Sequence, residues 1–173
     1  MKLKLLTFIL ALVVLASCSK DALDITFDAN YPVDLNVLVG SSKADQGVFD
    51  VRDTIDLQSD AEVAKYLDRI KKWELTGLDG QFKNLSEQFT LINGVLNVSS
   101  GANSAEWTFT NVTVTEAYAL LLENAAGQFD QINSMLAAKG KIIISFVGTT
   151  DKQNINFDLG TNLKTKVTAN PLD

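Results

Sequence analysis

The side chains that could do chemistry in this 173-residue chain are few, and the missing types narrow the choices further. The sequence contains one cysteine, Cys18, and no histidine. Ser-His-Asp and Cys-His catalysis both need a histidine base, and most zinc or copper sites need imidazole ligands. The composition therefore excludes these classes of enzyme and metal site, and it indicates no cofactor.

Carboxylates are the remaining candidates for metal binding or acid catalysis. Two groups of oxygen ligands could bind calcium, namely Asp50, Asp53 and Asp56, and Asp28, Asn30 and Asp34. Neither group has the D-x-D-x-D-G…E spacing that surrounds one ion, so solvated strand faces are the preferred interpretation and no metal site is predicted. Paired carboxylates could also hydrolyse glycosides. Because 21 acidic residues produce chance pairs, an acid-only hydrolase is the weakest functional alternative.

Two aromatic residues and one threonine are candidates for glycan chemistry. Trp73 and Trp107 could stack on sugar rings, but both lie in stretches of alternating apolar and polar residues, so core packing is favoured. Asp53-Thr54-Ile55 resembles the three-residue acceptor of some bacterial periplasmic O-glycosylation systems. Thr54 falls on the polar side of its predicted strand, where modification is sterically possible.

The first seventeen residues have the composition of an export signal. Lys2 and Lys4 precede an apolar run over residues 5–16, interrupted by Thr7. This run of about a dozen residues is shorter than the roughly 20 that a membrane-spanning helix needs. Residues 1–17 are therefore predicted to be a cleaved signal peptide.

The tetrapeptide Leu15-Ala16-Ser17-Cys18 resembles the lipobox of bacterial lipoproteins. The resemblance implies cleavage before Cys18 and attachment there of a diacylglyceryl group and further acyl chains such as palmitate, which anchor the chain to the bilayer. In many Gram-negative lipoproteins, Asp after this cysteine favours the inner membrane. Ser19 therefore implies the outer membrane rather than the inner one, on either its periplasmic or its surface face.

Loss of the signal changes the physical character of the chain. Removal of Lys2 and Lys4 shifts the formal charge from −6 to −8, and no cysteine after Cys18 remains for a disulfide. An acidic surface argues against binding nucleic acid or adsorbing to anionic lipid. A tether over 18–22 should hold the domain close to the bilayer, because four residues between Cys18 and Leu23 reach only about 14 Å.

The segments that carry the candidate site residues alternate between apolar and polar side chains. Such alternation predicts about eight strands within a single domain over 23–173, and two antiparallel sheets bury such faces best. The first choice is an immunoglobulin-like β-sandwich, with a partly closed barrel second. The sequence resembles small β-sandwich lipoproteins of Gram-negative bacteria and contains no motif that carries an activity.

Two helical insertions interrupt the strands. Ser59 and Glu62 form a predicted capping box at the start of a helix over about 60–71. A second helical segment is predicted over about 116–138, either as one helix or as two, with Gly140 as its C-cap.

Four local features carry further predictions. Tyr31-Pro32 should interrupt the first strand, and Asn93-Gly94 should form a type I′ hairpin turn. Asp53 falls on an apolar face, which indicates either a protected edge strand or a local bulge. A change of parity near Asn111 predicts a bulge there.

The functional prediction is a membrane-anchored envelope protein that is not an enzyme. It would act as a binding or structural module with an unknown protein or glycan partner and with the lipid bilayer. The alternative is a subunit of a surface assembly that pairs through an exposed strand edge.

Overall fold

A computed structural model describes residues 23–41 and 46–172, and these form a β-sandwich. The signal peptide, Cys18 and the tether lie outside the described residues. The strands are β1 (Ile25–Leu38), β2 (Gly40–Ser41), β3 (Gly47–Asp56), β4 (Ile70–Lys83), β5 (Phe89–Ser100), β6 (Asn103–Val114), β7 (Ala119–Leu120), β8 (Lys141–Thr150) and β9 (Asn156–Ala169). The helices are α1 (Ala61–Tyr66) and α2 (Gln128–Ala137), with 3-10 turns at Leu57–Ser59 and Leu67–Arg69.

Two antiparallel sheets pack face to face. One has the strand order β1-β9-β4-β7 and the other β2-β3-β8-β5-β6. The predicted β-sandwich with two helical insertions is thus confirmed, whereas an immunoglobulin-like form of it stays a prediction. No helix within the described part of the chain is long and apolar enough to cross a membrane.

A cluster of phenylalanines lies between the sheets. Phe82 of β4 and Phe157 of β9 approach to 5.3 Å between ring centroids, and Phe89 of β5 stacks on Phe157 at 4.9 Å. Phe49 of β3 contacts Phe146 of β8 at 4.9 Å. Because these rings come from five strands of both sheets, the aromatic contacts hold the two layers together.

β1 runs without a break through Tyr31 and Pro32, so the predicted interruption is wrong. Pro32 lies opposite Asn162 in the continuous ladder with β9. Proline is tolerated because β1 is an edge strand, where one row of backbone donors has no ladder partner to satisfy. Tyr31 is buried, and its hydroxyl donates to the Leu57 carbonyl oxygen at 2.9 Å.

α1 is shorter than the predicted helix and has a different cap. The N-cap is Asp60, whose Oδ1 accepts from the amides of Glu62 at 2.9 Å and Val63 at 3.1 Å. Ser59 ends the preceding 3-10 turn instead, because a carboxylate one residue later satisfies the same orphan amides. Strand β4 begins at Ile70, so residues 70 and 71 are not helical.

Only the second half of the predicted 116–138 segment is helical, as the single helix α2. Residues 119–120 are instead β7, which pairs with Gly80 and Gln81 at the edge of β4. Gly127 is the N-cap and has φ of +78°, so the helix cannot extend backwards through it. At the other end Lys139, not Gly140, has positive φ, at +54°.

Asn93 and Gly94 lie in the middle of β5 rather than in a hairpin turn. β5 is hydrogen-bonded to β6 on one side and β8 on the other, and these two ladders hold the dipeptide extended. A Cβ at Gly94 would lie 2.7 Å from Leu91 Cδ2, so a side chain there would displace this buried leucine. The hairpin occurs instead between Ser100 and Asn103. Asn111 has φ of +54°, but the β5–β6 register does not shift across it, so the bulge predicted near Asn111 is wrong for this ladder. The register shift lies instead between Leu91 and Asn93, in the ladder of β5 with β8.

Candidate functional site

A surface concavity of the described chain lies where the edges of the two sheets approach each other, along β1 and β3. A depression of about 250 Å³ is lined by residues 30–33, 53–56 and 59. A neighbouring one of about 330 Å³ is lined by residues 34–36 and 51–53. Because Asp53 lines both, we treat them as one groove, called the β1–β3 cleft.

The β1 wall of the cleft presents backbone groups that the ladder leaves free. The carbonyls of Ala29 and Val33 accept from the hydroxyls of Thr165 and Thr161 of β9, so odd-numbered residues of β1 direct their polar groups towards β9. Backbone direction alternates along an antiparallel strand. The even-numbered residues therefore direct theirs towards the cleft, and Pro32 interrupts this row because it has no N–H.

At the centre of the β3 wall, the side chain of Asp53 covers the backbone edge of the strand. Asp53 Oδ1 accepts from the Thr54 amide at 2.6 Å. β3 pairs with β8 in unbroken register from Gly47 to Asp56, so the exposed Asp53 does not lie in a bulge. β2 covers β3 only at Gly47 and Val48. Asp53 thus marks an exposed strand edge, which is one of the two predicted explanations.

The cleft is acidic, and several of its polar groups have structural tasks. Asp56 Oδ1 accepts from the Gln58 amide at 3.0 Å and so caps the 3-10 turn. Asp34 and Lys83 form an exposed ion pair at 3.7 Å. Burial, together with the negative charges of Asp60 and Asp56, raises the pKa of Tyr31 far above its ordinary value. The Tyr31 hydroxyl therefore stays protonated. Its hydrogen bond to the Leu57 carbonyl oxygen joins β1 to the turn after β3.

The calcium ligand groups considered from the sequence do not converge. No group of three or more His, Cys, Asp or Glu residues that could hold a metal ion exists within residues 23–41 and 46–172. In the first group, Asp50 pairs with Arg52 at 3.5 Å while Asp53 and Asp56 bond to backbone amides. These acids are strand-face and capping residues.

Both tryptophans belong to the core. Trp73 is 5 % exposed and its Nε1 donates to Thr165 Oγ1 at 3.0 Å. Trp107 is 6 % exposed and its Nε1 donates to the Glu123 carbonyl oxygen at 2.8 Å. Neither presents an open ring face for stacking on a sugar, so the core interpretation holds and the glycan-stacking one does not.

Thr54 is exposed on the side of β3 that faces away from the core, as the alternation predicts. Its Oγ is therefore sterically open to modification. Cys18, the predicted lipidation site, lies outside the described residues.

Sequence reasoning missed a polar depression on the outer face of the four-stranded sheet. A hollow of about 300 Å³ opens over Gly160 and is lined by Asp34, Asp79, Lys83 and Asn162, among others. A Cβ at Gly160 would lie 2.5 Å from Lys83 Nζ, so the glycine makes room for this side chain. A glycine in the middle of an alternating strand was the available signal.

A hydrogen-bonded carboxylate lies on the same strand, two residues before Gly160. Asp158 Oδ1 accepts from Asn36 Nδ2 at 2.8 Å, and its Oδ2 accepts from Asn84 Nδ2 at 2.7 Å. These amide donors stabilise the ionised form, the Asn84 contact most of all, and lower the pKa of Asp158. Both oxygens are already occupied, so Asp158 organises the surface rather than acting as a proton donor.

Comparison with known proteins leaves the family open. No family model matches the chain, and no curated protein matches it either. Among solved structures, it is similar to the decameric BFDV capsid protein, at 11% identity and a TM-score of 0.41 over 83% of this chain and 99% of that one. It is also similar to Desmodium yellow mottle tymovirus, at 10% identity and a TM-score of 0.33 over 86% and 85% of the two chains. Likenesses this distant carry no functional conclusion.

Proposed function

We propose that the protein is an envelope lipoprotein, held in the outer membrane by acylated Cys18. The observation that carries this proposal is the signal-like segment ending in Leu15-Ala16-Ser17-Cys18, followed by Ser19. The described domain fits such an anchor, because β1 begins at Ile25 and only four residues separate Cys18 from Leu23. Two or more acyl chains hold a protein stably on a bilayer, whereas one does not.

The proposed role of the domain is non-catalytic binding or structural support. Its prominent polar groups are engaged in stabilising the fold: Asp53 in covering an edge, Asp56 and Asp60 in capping, and Tyr31 in linking β1 to a turn. A side chain already bonded in this way is poorly placed to activate water or hold a substrate atom.

Acylation can be tested directly by metabolic labelling with an alkyne analogue of palmitate. The wild-type chain should take up the label and sediment with outer membranes after density fractionation. Cys18→Ala should lose both properties, whereas the matched variant Ser19→Ala, one residue later, should retain the label. An unlabelled wild-type chain that keeps residues 1–17 would refute the proposal.

A second candidate function is membership of a surface assembly, and the β1–β3 cleft favours it. An extended segment from a neighbouring subunit could add to the free backbone groups of β1. A photo-reactive amino acid at Asn30, in the cleft, should cross-link to a subunit of the assembly in intact cells. The same group at the exposed Gln131 of α2 is the matched control and should give no such product. Equal cross-linking from both positions would contradict this function.

A further inference from the structure

One end of the sandwich combines basic and exposed apolar side chains at the place where the chain enters the fold. Ile25, Ile70 and Ala169 are register partners across three strands, so β1 and β4 start where β9 ends. We call this surface the tether end. Its cationic and apolar members are Leu23, Lys65, Arg69, Lys71, Lys72, Lys139 and Leu172.

Direct contacts join these residues into one surface. Lys71 Nζ lies 2.9 Å from Asp24 Oδ1, which connects the start of β4 to the start of β1. Arg69 Nη1 donates to the Pro171 carbonyl oxygen at 2.8 Å, which places the guanidinium beside Leu172. Lys139 Nζ donates to the Leu67 carbonyl oxygen at 2.7 Å and adds the segment after α2.

The tether end also exposes large apolar side chains. Leu23 is 53 % exposed and Leu172 is 72 % exposed, although both lie next to the folded core. Leucines flanked by lysine and arginine are the combination that interfacial membrane-binding surfaces use, because the apolar groups enter the lipid while the cations stay among the headgroups.

The distribution of charge favours this end over the opposite one. At the tether end the five cations named above accompany four described acids, Asp24, Glu62, Asp68 and Glu74. Of these acids, Asp24 pairs with Lys71 and Glu74 pairs with Lys72. At the opposite end the described acids Glu87, Glu116 and Asp151 accompany two cations, Lys83 and Lys152, and Lys152 pairs with Glu87. The acidic balance of the whole chain therefore does not apply to the tether end.

We infer that the tether end rests on the bilayer that carries the lipid anchor, with Leu23 and Leu172 in the interfacial layer and the basic side chains among anionic headgroups. This inference rests on the proposed acylation of Cys18. Four residues between Cys18 and Leu23 reach only about 14 Å, so the tether end cannot move far from the lipid surface. In this orientation the β1–β3 cleft extends away from the bilayer, with its long axis along the membrane normal.

The test uses the full acylated protein in vesicles that contain phosphatidylglycerol and a nitroxide-labelled headgroup lipid. Acylated Cys18 has no free thiol, so a fluorophore can be attached to a single introduced cysteine, either Asp68→Cys at the tether end or Gln88→Cys at the opposite end. Fluorescence at position 68 should be quenched at least threefold more strongly than at position 88. Substituting Leu23→Ser, Leu172→Ser and Arg69→Gln together should remove at least half of the quenching at position 68.

The matched control replaces residues away from the tether end, Leu38→Ser with Arg52→Gln, and should leave the quenching at position 68 unchanged. Vesicle flotation of every variant should equal that of the wild type, because the acyl chains provide the anchor. Flotation with equal quenching at positions 68 and 88 would overturn the orientation alone. A wild-type chain that fails to float would overturn both the orientation and the proposed acylation.

Discussion

The carboxylate of Asp53 binds the backbone amide of the very next residue, Thr54, at 2.6 Å, and so occupies a donor on the open edge of β3. A charged side chain on the apolar side of an edge strand discourages pairing with another chain, because pairing would bury the charge. The same contact explains how β3 can border the β1–β3 cleft without a covering strand along most of its length.

Replacing Asp53 with valine should allow the open edge of β3 to associate with other copies of the chain. Asp53→Val frees the Thr54 amide, removes the charge and extends the apolar face, so concentration-dependent dimers or larger species should form. Sedimentation velocity over a range of protein concentrations measures this directly. Asp50→Val, on the outward face of the same strand, is the control and should stay in the wild-type state of association. Identical association of the two variants would contradict the protective role of Asp53.

Gly148 should be intolerant of a side chain. A Cβ there would lie 2.4 Å from the Asn93 carbonyl oxygen and 2.7 Å from Phe49 Cζ, so Gly148→Ala should destabilise the fold by about 3 kcal/mol or more. Gly77→Ala is the matched control, because its Cβ would meet only Lys164 Cδ at 3.7 Å, and it should change stability by less than about 1 kcal/mol. Urea unfolding followed by tryptophan fluorescence gives both values.

The hydroxyl of Thr165 links two strands in the core. It accepts from Trp73 Nε1 at 3.0 Å and donates to the Ala29 carbonyl oxygen at 3.0 Å. Thr165→Val leaves the indole N–H buried without a partner and should cost about 1–3 kcal/mol of the free energy of unfolding. Thr168→Val, on the outer face of β9, should cost less than about 0.5 kcal/mol. A similar loss in both variants would show that the buried hydroxyl has no special role.

The lowered pKa of Asp158 predicts a pH dependence with a defined sign. Because the pKa is lower in the folded than in the unfolded state, this carboxylate stabilises the fold above the unfolded value of about 3.9 and loses that effect as the pH falls through the folded pKa. A carboxyl-carbon NMR titration should place its midpoint below that of an unfolded Asp. Asn84→Ala should raise the midpoint towards the ordinary value, and an unmoved midpoint would contradict the assigned cause.

Thr54 stays a proposed O-glycosylation site, and intact mass tests it. Protein purified from its native envelope should be heavier than the acylated polypeptide by a discrete glycan mass, and Thr54→Ala should abolish the difference. Thr113→Ala, an exposed threonine on β6 without the Asp-Thr-Ile context, should retain the added mass. A wild-type mass equal to that of the acylated chain would reject glycosylation.

Sequence patterns predicted the strand faces correctly but misplaced a turn. Alternation correctly predicted the apolar faces of β1, β3 and β9, because a period of two places every second side chain in the core whatever the partner strand is. Asn93-Gly94 has the local preference for a turn, but the ladders to β6 and β8 satisfy its backbone in an extended form. Long-range pairing overrode a short-range signal at this position.

The first half of the second predicted helical segment failed in the same way. The apolar stripe starting at Tyr118 has helical spacing, yet the Tyr118 carbonyl accepts from the Phe82 amide at 2.9 Å and draws this segment to the edge of β4. Gly127 then begins α2 in a left-handed conformation. Spacing alone could not reveal that an unpaired strand edge was available to compete for these backbone groups.

The sequence by itself determined the chemical limits of this protein: a single cysteine in a lipobox-like context, no histidine, and alternating faces that favour a sandwich. These follow from residue type and local period, which need no knowledge of partners in space. Only the tertiary structure decided that both tryptophans are buried, that Asp53 covers an edge, and that basic and apolar residues meet at the tether end. Each of those facts depends on which strands become neighbours, and pairing between residues far apart in the chain is set by the packing of the whole core.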